Sequence, residues 1–330
     1  MALLKKSKMP ADSGCAALPK PKKKRFSLDD LELTLLSLPT VAWFLAFCYV
    51  PLFGIVFAFK KWKMKPGKSF LYSLFVNSKW VGLDNFKFLF LNPQMGNIIR
   101  NTLVYNIIFL IIGVTLPVIL AIMISYMYSS KLRKICQTAT FLPHFLSWVI
   151  VSYFVYAFLS TDRGLINSIL TSSGGEAIRW YQSPEYWPAI LIFMNTWKTF
   201  GYSMVVYLAS LTGIDKGLYE SAVIDGATIW QQIKGITLPL LRPVLSIMFI
   251  LNVGHIFTSE FGLFYHVTRD SGSLLSVTQT IDVYVYKALM ENNNYGYSAA
   301  TSLLQNTIGC ILIVITNLVV KRIDPESGLF

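Results

Sequence analysis

The sequence predicts an all-α, polytopic membrane protein with about six transmembrane helices. Of its 330 residues, 54% are hydrophobic and 14% are charged, and the mean hydropathy is +0.52. A soluble globular domain cannot carry this composition without exposing apolar surface. The apolar residues also lie in stretches longer than the roughly 20 residues that a helix needs to cross the hydrocarbon core of a bilayer. This clustering favours membrane spans over a soluble core.

The net charge of +12 raises the question of a nucleic-acid or an anionic-lipid partner. The basic residues lie between the apolar stretches and in the N-terminal tail, and they do not follow one face of a soluble domain. This distribution favours lipid headgroups and argues against nucleic acid. The cysteines are scattered singly and lack metal-ligand spacing, so we predict neither disulfides nor a metal site.

The chain divides into a basic tail, residues 1–32, and a transmembrane domain, residues 33–330. The tail lacks the apolar region of a cleaved signal peptide, so we expect it to be retained. The predicted spans cover residues 33–59, 98–126, 135–160, 186–212, 236–259 and 297–320. Prolines are expected to bend these helices at Pro39, Pro51, Pro117 and Pro143.

Lysines and arginines beside the spans predict the orientation of the chain. Basic residues in the N-terminal tail, in the second connection and after the last span place all three segments, and both termini, in the cytoplasm of a cell whose cytoplasmic membrane holds the protein. The first connection then faces outward although it is rich in lysine. Its lysines are Lys60, Lys61, Lys63, Lys65, Lys68, Lys79 and Lys87.

The first connection also contains a short sequence that ends like a phosphate-binding loop, Pro66-Gly67-Lys68-Ser69. A functional loop of this kind needs an earlier glycine to form its backbone nest, and Trp62 stands at that position. Nucleotide binding by this chain is therefore not expected. ATP chemistry, if required, belongs to another chain.

The connection between the fourth and fifth spans, residues 211–243, is predicted to be structured. Small and apolar residues recur at helical spacing, and Gly226 permits a sharp change of direction. Pro239 is expected to limit the second helix and lead into the next span. We predict a short amphipathic helix, a bend, and a second helix at the cytoplasmic membrane surface.

Such an element could insert into a groove on a protein partner, with Glu220 fixing its register. The alternative is an amphipathic helix that lies on lipid, which would carry Lys or Arg along its polar face. Here acidic residues, Asp225 among them, offset Lys216 and Lys234. The balance favours a protein partner.

The segment resembles the signature of permeases of binding-protein-dependent ABC importers: Glu-Ala-Ala, three residues, Gly, nine residues, then Ile-any-Leu-Pro. Ser221 replaces an alanine of that pattern, and a small residue still allows close helix contact. The resemblance implies the type I ABC permease fold. The residues that it assigns to coupling with an ATPase are Glu220, Ser221, Ala222, Asp225, Gly226, Ala227, Ile236, Leu238 and Pro239.

Further motifs are similar to those of carbohydrate permeases. These motifs are VGLDNF at 81–86, NTL at 101–103, LPHFLSWV at 142–149 and GLIN at 164–167. Residues 48–60 and 207–220 resemble the lipoprotein-associated, polygalacturonan and rhamnogalacturonan branch, to which alginate importers are close. Residues 282–286 read Asp-Val-Tyr-Val-Tyr where that branch usually has Asp-Thr-Tyr-Val-Tyr.

The resemblance implies a set of partners and a mechanism. The partners are a second, homologous permease subunit, two ATP-binding subunits that hold ATP and Mg, and an extracellular sugar-binding lipoprotein that delivers an oligosaccharide. This chain binds no cofactor and performs no covalent chemistry. Closure of the ATPase pair moves the docked helices, and the path opens alternately to each side.

Polar side chains inside the spans are candidates for the substrate path, because such groups are costly in a membrane. The candidates are Asn195, Trp197, Lys198, Asn252, His255, Glu260, Gln305 and Asn306, with Tyr202 and Tyr207 as stacking surfaces. For each, the alternative is hydrogen bonding between helices. Lys198 could pair with an acidic sugar or with Glu260.

Two other classes of function compete with import by a permease. An ion-coupled secondary transporter would need intramembrane carboxylates and inverted halves, and beyond Glu260 neither is evident. A membrane enzyme would need paired catalytic groups at one depth, which the dispersed histidines do not supply.

Overall fold

The computed structural model describes residues 28–63, 67, 69, 72–291 and 293–329. Most of the predicted basic tail lies outside the described residues, as do Lys65 and Lys68. The chain divides into two compact units, Met1–Phe53 and Gly54–Phe330. The mainly helical architecture predicted from the sequence is confirmed.

The first predicted span is helical throughout, and its last part is irregular. Helix α1 (Leu28–Phe44) continues through Pro39 and is followed by a π-helical turn, Leu45–Tyr49, and a 3-10 stretch, Val50–Phe59. Pro51, which cannot donate a helical hydrogen bond, lies two residues after the end of the π-turn.

The second unit contains a two-residue antiparallel strand pair and the remaining helices. The strands are β1 (Lys60–Lys61) and β2 (Lys79–Trp80). The first group of helices is α2 (Asp84–Leu91), α3 (Met95–Ser125), α4 (Ser130–Phe141), α5 (Trp148–Leu159), α6 (Leu165–Ser172) and α7 (Trp187–Thr212). The second group is α8 (Lys216–Ile224), α9 (Ile229–Gln232), α10 (Leu238–Gly254), α11 (Leu275–Thr278), α12 (Ile281–Met290) and α13 (Tyr295–Ile323).

The third predicted span is broken, which corrects the single helix expected over 135–160. Helix α4 runs through a 3-10 turn to Phe145, and α5 then leaves at 99° to it. Pro143 lies in the 3-10 turn, where the sequence predicted a bend. The Ser147 hydroxyl accepts a hydrogen bond from the Ile150 N–H at 3.3 Å and starts the second helix.

By length and apolarity, four helices among the described residues could cross a membrane, or five if the bent pair counts as one span. Helix α7, the predicted fourth span, is not among them, although its 26 residues are long enough. Its polar residues, Asn195 and Lys198 among them, lower its hydropathy.

The fifth span begins earlier than predicted, and Pro239 does not limit the helix before it. A helix runs continuously over Ile229–Gly254 because a π-turn, Ile233–Thr237, joins α9 to α10. In that turn the Leu238 N–H bonds to the Ile233 carbonyl, one residue further back than in an α-helix. We attribute the continuity to this wider turn, which accommodates the proline.

The long helices α3 and α7 pack against each other at the centre of the second unit. Trp187 and Leu191 of α7 are fully buried beside Phe264, and Met204 and Tyr207 are buried lower on the same helix. Gly201 brings α7 close to α4, since a Cβ there would lie 2.0 Å from the Thr140 carbonyl oxygen. Small residues at helix contacts allow this close packing in membrane proteins.

A ladder of polar side chains on α3 holds the segment after α10. The Asn101 amide donates to the carbonyls of Ser276 and Gln279 at 3.0 and 3.2 Å, and the Tyr105 hydroxyl donates to Val277 at 2.9 Å. These bonds satisfy the backbone where it is irregular, so the segment takes a fixed path beside α3.

Candidate functional site

The predicted coupling segment forms a hook, defined here as residues 215–239. Its first helix, α8, begins where the Asp215 carboxylate accepts from the Gly217 N–H at 3.0 Å. It ends in a left-handed turn at Gly226, whose φ is +80°. The Ala227 N–H bonds to the Ala222 carbonyl at 2.9 Å, and the Gly226 N–H bonds to Val223 at 3.0 Å. This is the Schellman arrangement, which favours glycine at the turn.

The second arm of the hook is capped and fastened to the first. The Thr228 and Gln231 side chains form a reciprocal capping box at the start of α9. The Gln232 side chain donates to the Ala227 carbonyl at 3.2 Å, and the Tyr219 and Thr237 hydroxyls lie 3.0 Å apart. Together these bonds fix the angle between the two arms.

The outer surface of the hook exposes large apolar side chains. Ile224 is 86% exposed and Trp230 is 73% exposed, and Val223 and Ile229 are exposed beside them. Glu220 is also exposed on α8. Exposed apolar groups of this size in one small element are typical of a binding surface.

The residues of the predicted signature divide between the two sides of the hook. Glu220, Ser221, Asp225 and Gly226 are exposed. The half-buried members, which lie toward the body of the protein, are Ala222, Ala227, Ile236, Leu238 and Pro239. The Ser221 hydroxyl donates to carbonyls of its own helix, to Gly217 at 2.9 Å and Leu218 at 3.1 Å.

Four of the predicted substrate-path residues meet in one polar cleft of about 300 Å³. They are Asn195, Asn252, His255 and Glu260. The sequence analysis missed the other polar residues of the cleft, because hydroxyls and amides in apolar helices carry no periodic signal of their own. These are Asn106, Thr199, Ser203, Thr258 and Ser259.

The other predicted path residues lie elsewhere. Trp197 lines an apolar groove of about 750 Å³ between α5 and α7. Gln305 is buried and donates to the Phe257 carbonyl at 2.7 Å, and Asn306 donates to Ser302 of its own helix at 2.8 Å. Tyr207 is buried in the core. These contacts fit the alternative considered from the sequence, hydrogen bonding and packing within the bundle.

Lys198 sits at the break between α4 and α5. Its ammonium donates to the His144 carbonyl at 3.0 Å and lies 5.2 Å from the centre of the Trp148 ring. The His144 ring stacks on Tyr202, with centroids 4.9 Å apart. A cation at the carbonyl end of a helix is favourable, because the last carbonyls lack helical partners.

Asp282 organises one wall of the cleft, and the sequence analysis did not select it. Its carboxylate accepts from the hydroxyl of Ser259 at 2.8 Å and from the Gln305 amide at 3.4 Å. The Ser259 hydroxyl also lies 2.7 Å from that of Thr280. The available signal was the position of Asp282 in the motif 282–286.

One helix connects the hook to the cleft. The continuous helix Ile229–Gly254 starts in the hook beside Trp230 and carries Asn252 at its other end. Its 26 residues span about 39 Å at the α-helical rise. The hook and one wall of the cleft therefore belong to the same continuous helix.

Comparison with known proteins identifies this architecture. Residues 113–325 match the family model described as the binding-protein-dependent transport system inner membrane component. The chain belongs to this family of importer permeases. It is a transport subunit and not an enzyme. Of the functions considered from the sequence, the importer permease is therefore favoured over the ion-coupled secondary transporter and the membrane enzyme.

The similarity extends over nearly the whole chain. This chain is 33% identical over 301 residues to the protein LplB of Bacillus subtilis, and the match covers 91% of this chain and 92% of that protein. It is also 33% identical to the polygalacturonan/rhamnogalacturonan transport system permease YteP of the same organism, covering 93% and 94%. The predicted branch of the family is thereby confirmed.

A solved structure supports the predicted type I permease fold. The chain resembles one in the crystal structure of a bacterial ABC transporter for the acidic polysaccharide alginate. The TM-score is 0.78 with 33% identity, and the match covers 90% of this chain and 97% of that chain. A second structure of that kind of transporter, in complex with an alginate pentasaccharide-bound periplasmic protein, gives a TM-score of 0.77.

Proposed function

We propose that this chain is one of two permease subunits of an ATP-driven importer for oligosaccharides, including acidic, uronate-containing ones. Two ATP-binding subunits grip the hook and its counterpart in the second permease, and they hold ATP and Mg. An extracellular binding lipoprotein delivers the sugar. The protein lies in the cytoplasmic membrane, with the hook and both termini on the cytoplasmic side.

The observation that carries this proposal is the continuity from the hook to the cleft. The hook has the internal bonds of a rigid lever, and its outer face exposes Ile224 and Trp230 next to Glu220. A soluble partner that covers this face removes the apolar side chains from water and pairs with the carboxylate. Motion of that partner then reaches Asn252 through one unbroken helix.

The chemistry of the cleft suits a sugar. Sugar hydroxyls need both donors and acceptors, and the cleft offers amides at Asn195 and Asn252, hydroxyls at Thr199 and Ser203, and the imidazole of His255. Such a lining suits weak, multiple hydrogen bonds that let a substrate pass. Uronate substrates are proposed because relatives are named for polygalacturonan, rhamnogalacturonan and alginate.

Uptake by the reconstituted complex tests this function. The chain, its second permease and the ATPases are placed in liposomes, and a labelled tetragalacturonate is supplied with its binding protein. We expect uptake that requires both ATP hydrolysis and the binding protein and that is insensitive to an ionophore. Uptake driven by an ion gradient without ATP would overturn the proposal.

A further inference from the structure

The lysine-rich first connection is not explained by the transport mechanism. Loops outside the cytoplasm are usually poor in Lys and Arg. In the orientation of the proposed function, this loop faces outward. Lys60, Lys61 and Lys63 are nevertheless close together in its sequence, and Lys79 lies opposite Lys61 across the strand pair. The lysines of this loop run against the rule for outward-facing loops, so we looked for a different role for them.

Two of these lysines, Lys60 and Lys61, border a pocket of about 390 Å³, a volume within the range of small-molecule sites. Strand β1 supplies Lys60 and Lys61, and Trp62 follows directly. The opposite wall comes from the start of α13, with Asn293, Asn294 and Tyr295. The pocket is thus distinct from the polar cleft in its residues, since the two share none.

The floor of the pocket is rigid. Asn85 is buried, and its amide donates to the carbonyls of Ala58 at 2.9 Å and Lys60 at 3.1 Å. Gly296 packs against the same amide, because a Cβ at that position would lie 2.8 Å from the Asn85 Nδ2. Asn294 caps α13 by accepting from the Tyr297 N–H at 3.3 Å. The walls are therefore held in place without a ligand.

Aromatic rings form a second feature of the pocket. The rings of Trp62 and Tyr295 have centroids 5.7 Å apart and are tilted by 57°. Phe57 supports both, at 5.1 Å from Trp62 and 6.1 Å from Tyr295. Aromatic faces beside amides present an apolar platform next to hydrogen-bonding groups. A pyranose ring, which has apolar C–H faces and polar edges, matches that combination.

The charge of the pocket is positive. Asp84 is the acidic residue of its lining, and its carboxylate pairs with Lys87 at 2.7 Å. That pair offsets the negative charge, which leaves Lys61 to set the local potential. Among the described residues, the Lys61 ammonium makes no ion pair. A carboxylate ligand would be attracted to the Lys61 ammonium group.

We propose that this pocket is an accessory binding site for an acidic saccharide, outside the translocation path and on the face where the substrate arrives. The proposal rests on the importer function and orientation given above. Lys61 binds the uronate carboxylate, Trp62 and Tyr295 stack on a sugar ring, and Asn293 and Asn294 bind hydroxyls. Such a site raises the local concentration of substrate at the mouth of the transporter.

An acidic surface of a partner protein and an anionic lipid headgroup are the competing ligands for this basic pocket. Neither requires paired rings and amides inside a concave site, whereas a saccharide uses both. The saccharide is therefore favoured, and the other two ligands become outcomes of the test.

Direct binding to the intact complex tests the proposal without ATP, transport or binding protein. The complex is placed in nanodiscs of zwitterionic lipid and titrated with tetragalacturonate and with its neutral methyl ester. We expect Lys61→Gln to weaken binding of the acid by about tenfold and to leave the ester unchanged. Trp62→Leu should weaken both ligands. The matched control, Lys131→Gln, removes an exposed lysine elsewhere and should have no effect.

Unchanged affinity in both Lys61→Gln and Trp62→Leu would overturn the proposal. The proposal would also fail if these variants lost docking of the binding protein but kept their affinity for the saccharide. That result would assign the pocket to a protein partner. Displacement of the saccharide by vesicles of anionic lipid, but not by zwitterionic ones, would assign it to headgroups. Uptake is measured in a separate experiment, so the two proposals can fail independently. Normal uptake without binding at the pocket rejects the accessory site alone. Binding at the pocket without ATP-driven uptake rejects the importer function alone.

Discussion

The hydroxyl groups of Tyr219 and Thr237 lie 3.0 Å apart and join the two arms of the hook. Tyr219 belongs to α8, and Thr237 is the buried last residue of the π-turn that leads into α10. In the proposed mechanism, a force on the first arm reaches α10 through this bond as well as through the backbone at Gly226.

Tyr219→Phe is predicted to loosen the hook without dismantling it. The variant removes one hydrogen bond, worth about 1 kcal/mol, and keeps the ring. We expect stimulated ATP hydrolysis to persist while the amount of sugar imported per ATP falls. Uptake and phosphate release measured on the same liposomes give that ratio. Tyr153→Phe, at an exposed tyrosine outside the hook, is the control, and an unchanged ratio in Tyr219→Phe would argue against a mechanical role for the bond.

Glu220→Ala is predicted to uncouple the transporter. Glu220 is an exposed charged residue of the proposed docking surface, so we expect its replacement to leave the fold and the cleft intact. We expect an assembled complex that binds the loaded binding protein but shows no stimulation of ATP hydrolysis. Glu176→Ala, at an exposed glutamate in another connection, should behave as the wild type. Normal stimulation in Glu220→Ala would count decisively against this assignment.

Gly226→Ala is predicted to distort the turn of the hook. The backbone at Gly226 has φ of +80°, a region that costs a residue with a Cβ about 1–2 kcal/mol. We expect weaker association with the ATPase subunits, measured by the fraction of complex that co-purifies. Gly235→Ala is the matched control, because Gly235 lies in the same hook with helical φ and open space around its Cβ position. Equal recovery of both variants would contradict the prediction.

The hook could be predicted from the sequence because its signals are local. A glycine at a turn and small and apolar residues at helical spacing act over a few positions. The continuity through Pro239 could not be predicted, since the π-turn that precedes it has no sequence pattern of its own.

The break of the third span was only partly predictable. Pro143 indicates a bend, but the angle of 99° depends on contacts from distant helices, such as Lys198 at the His144 carbonyl. The polar ladder has the same origin. Asn106, for example, bonds to the Ile256 carbonyl 150 residues away, and no local pattern carries that pairing. The sequence therefore predicted only some residues of the cleft, those whose polarity is conspicuous within an apolar span.

Lys198 is positioned for two different roles, attraction of an acidic substrate and anchoring of the helix break. It lies one helical turn from Asn195 of the cleft, and its ammonium also holds the His144 carbonyl at the helix break. Lys198→Met is predicted to lower import of acidic oligosaccharides more than that of neutral ones, because it removes the positive charge.

A second variant separates charge from anchoring. Lys198→Gln keeps an N–H donor that can reach toward the His144 carbonyl but lacks the charge. If the charge acts on the substrate, both variants lose import of tetragalacturonate and Lys198→Gln retains import of its methyl ester. If the side chain serves only to anchor the break, Lys198→Gln imports both sugars normally and Lys198→Met loses both equally. Competition between the two sugars in one uptake assay measures the difference directly, free of variation in the amount of reconstituted complex.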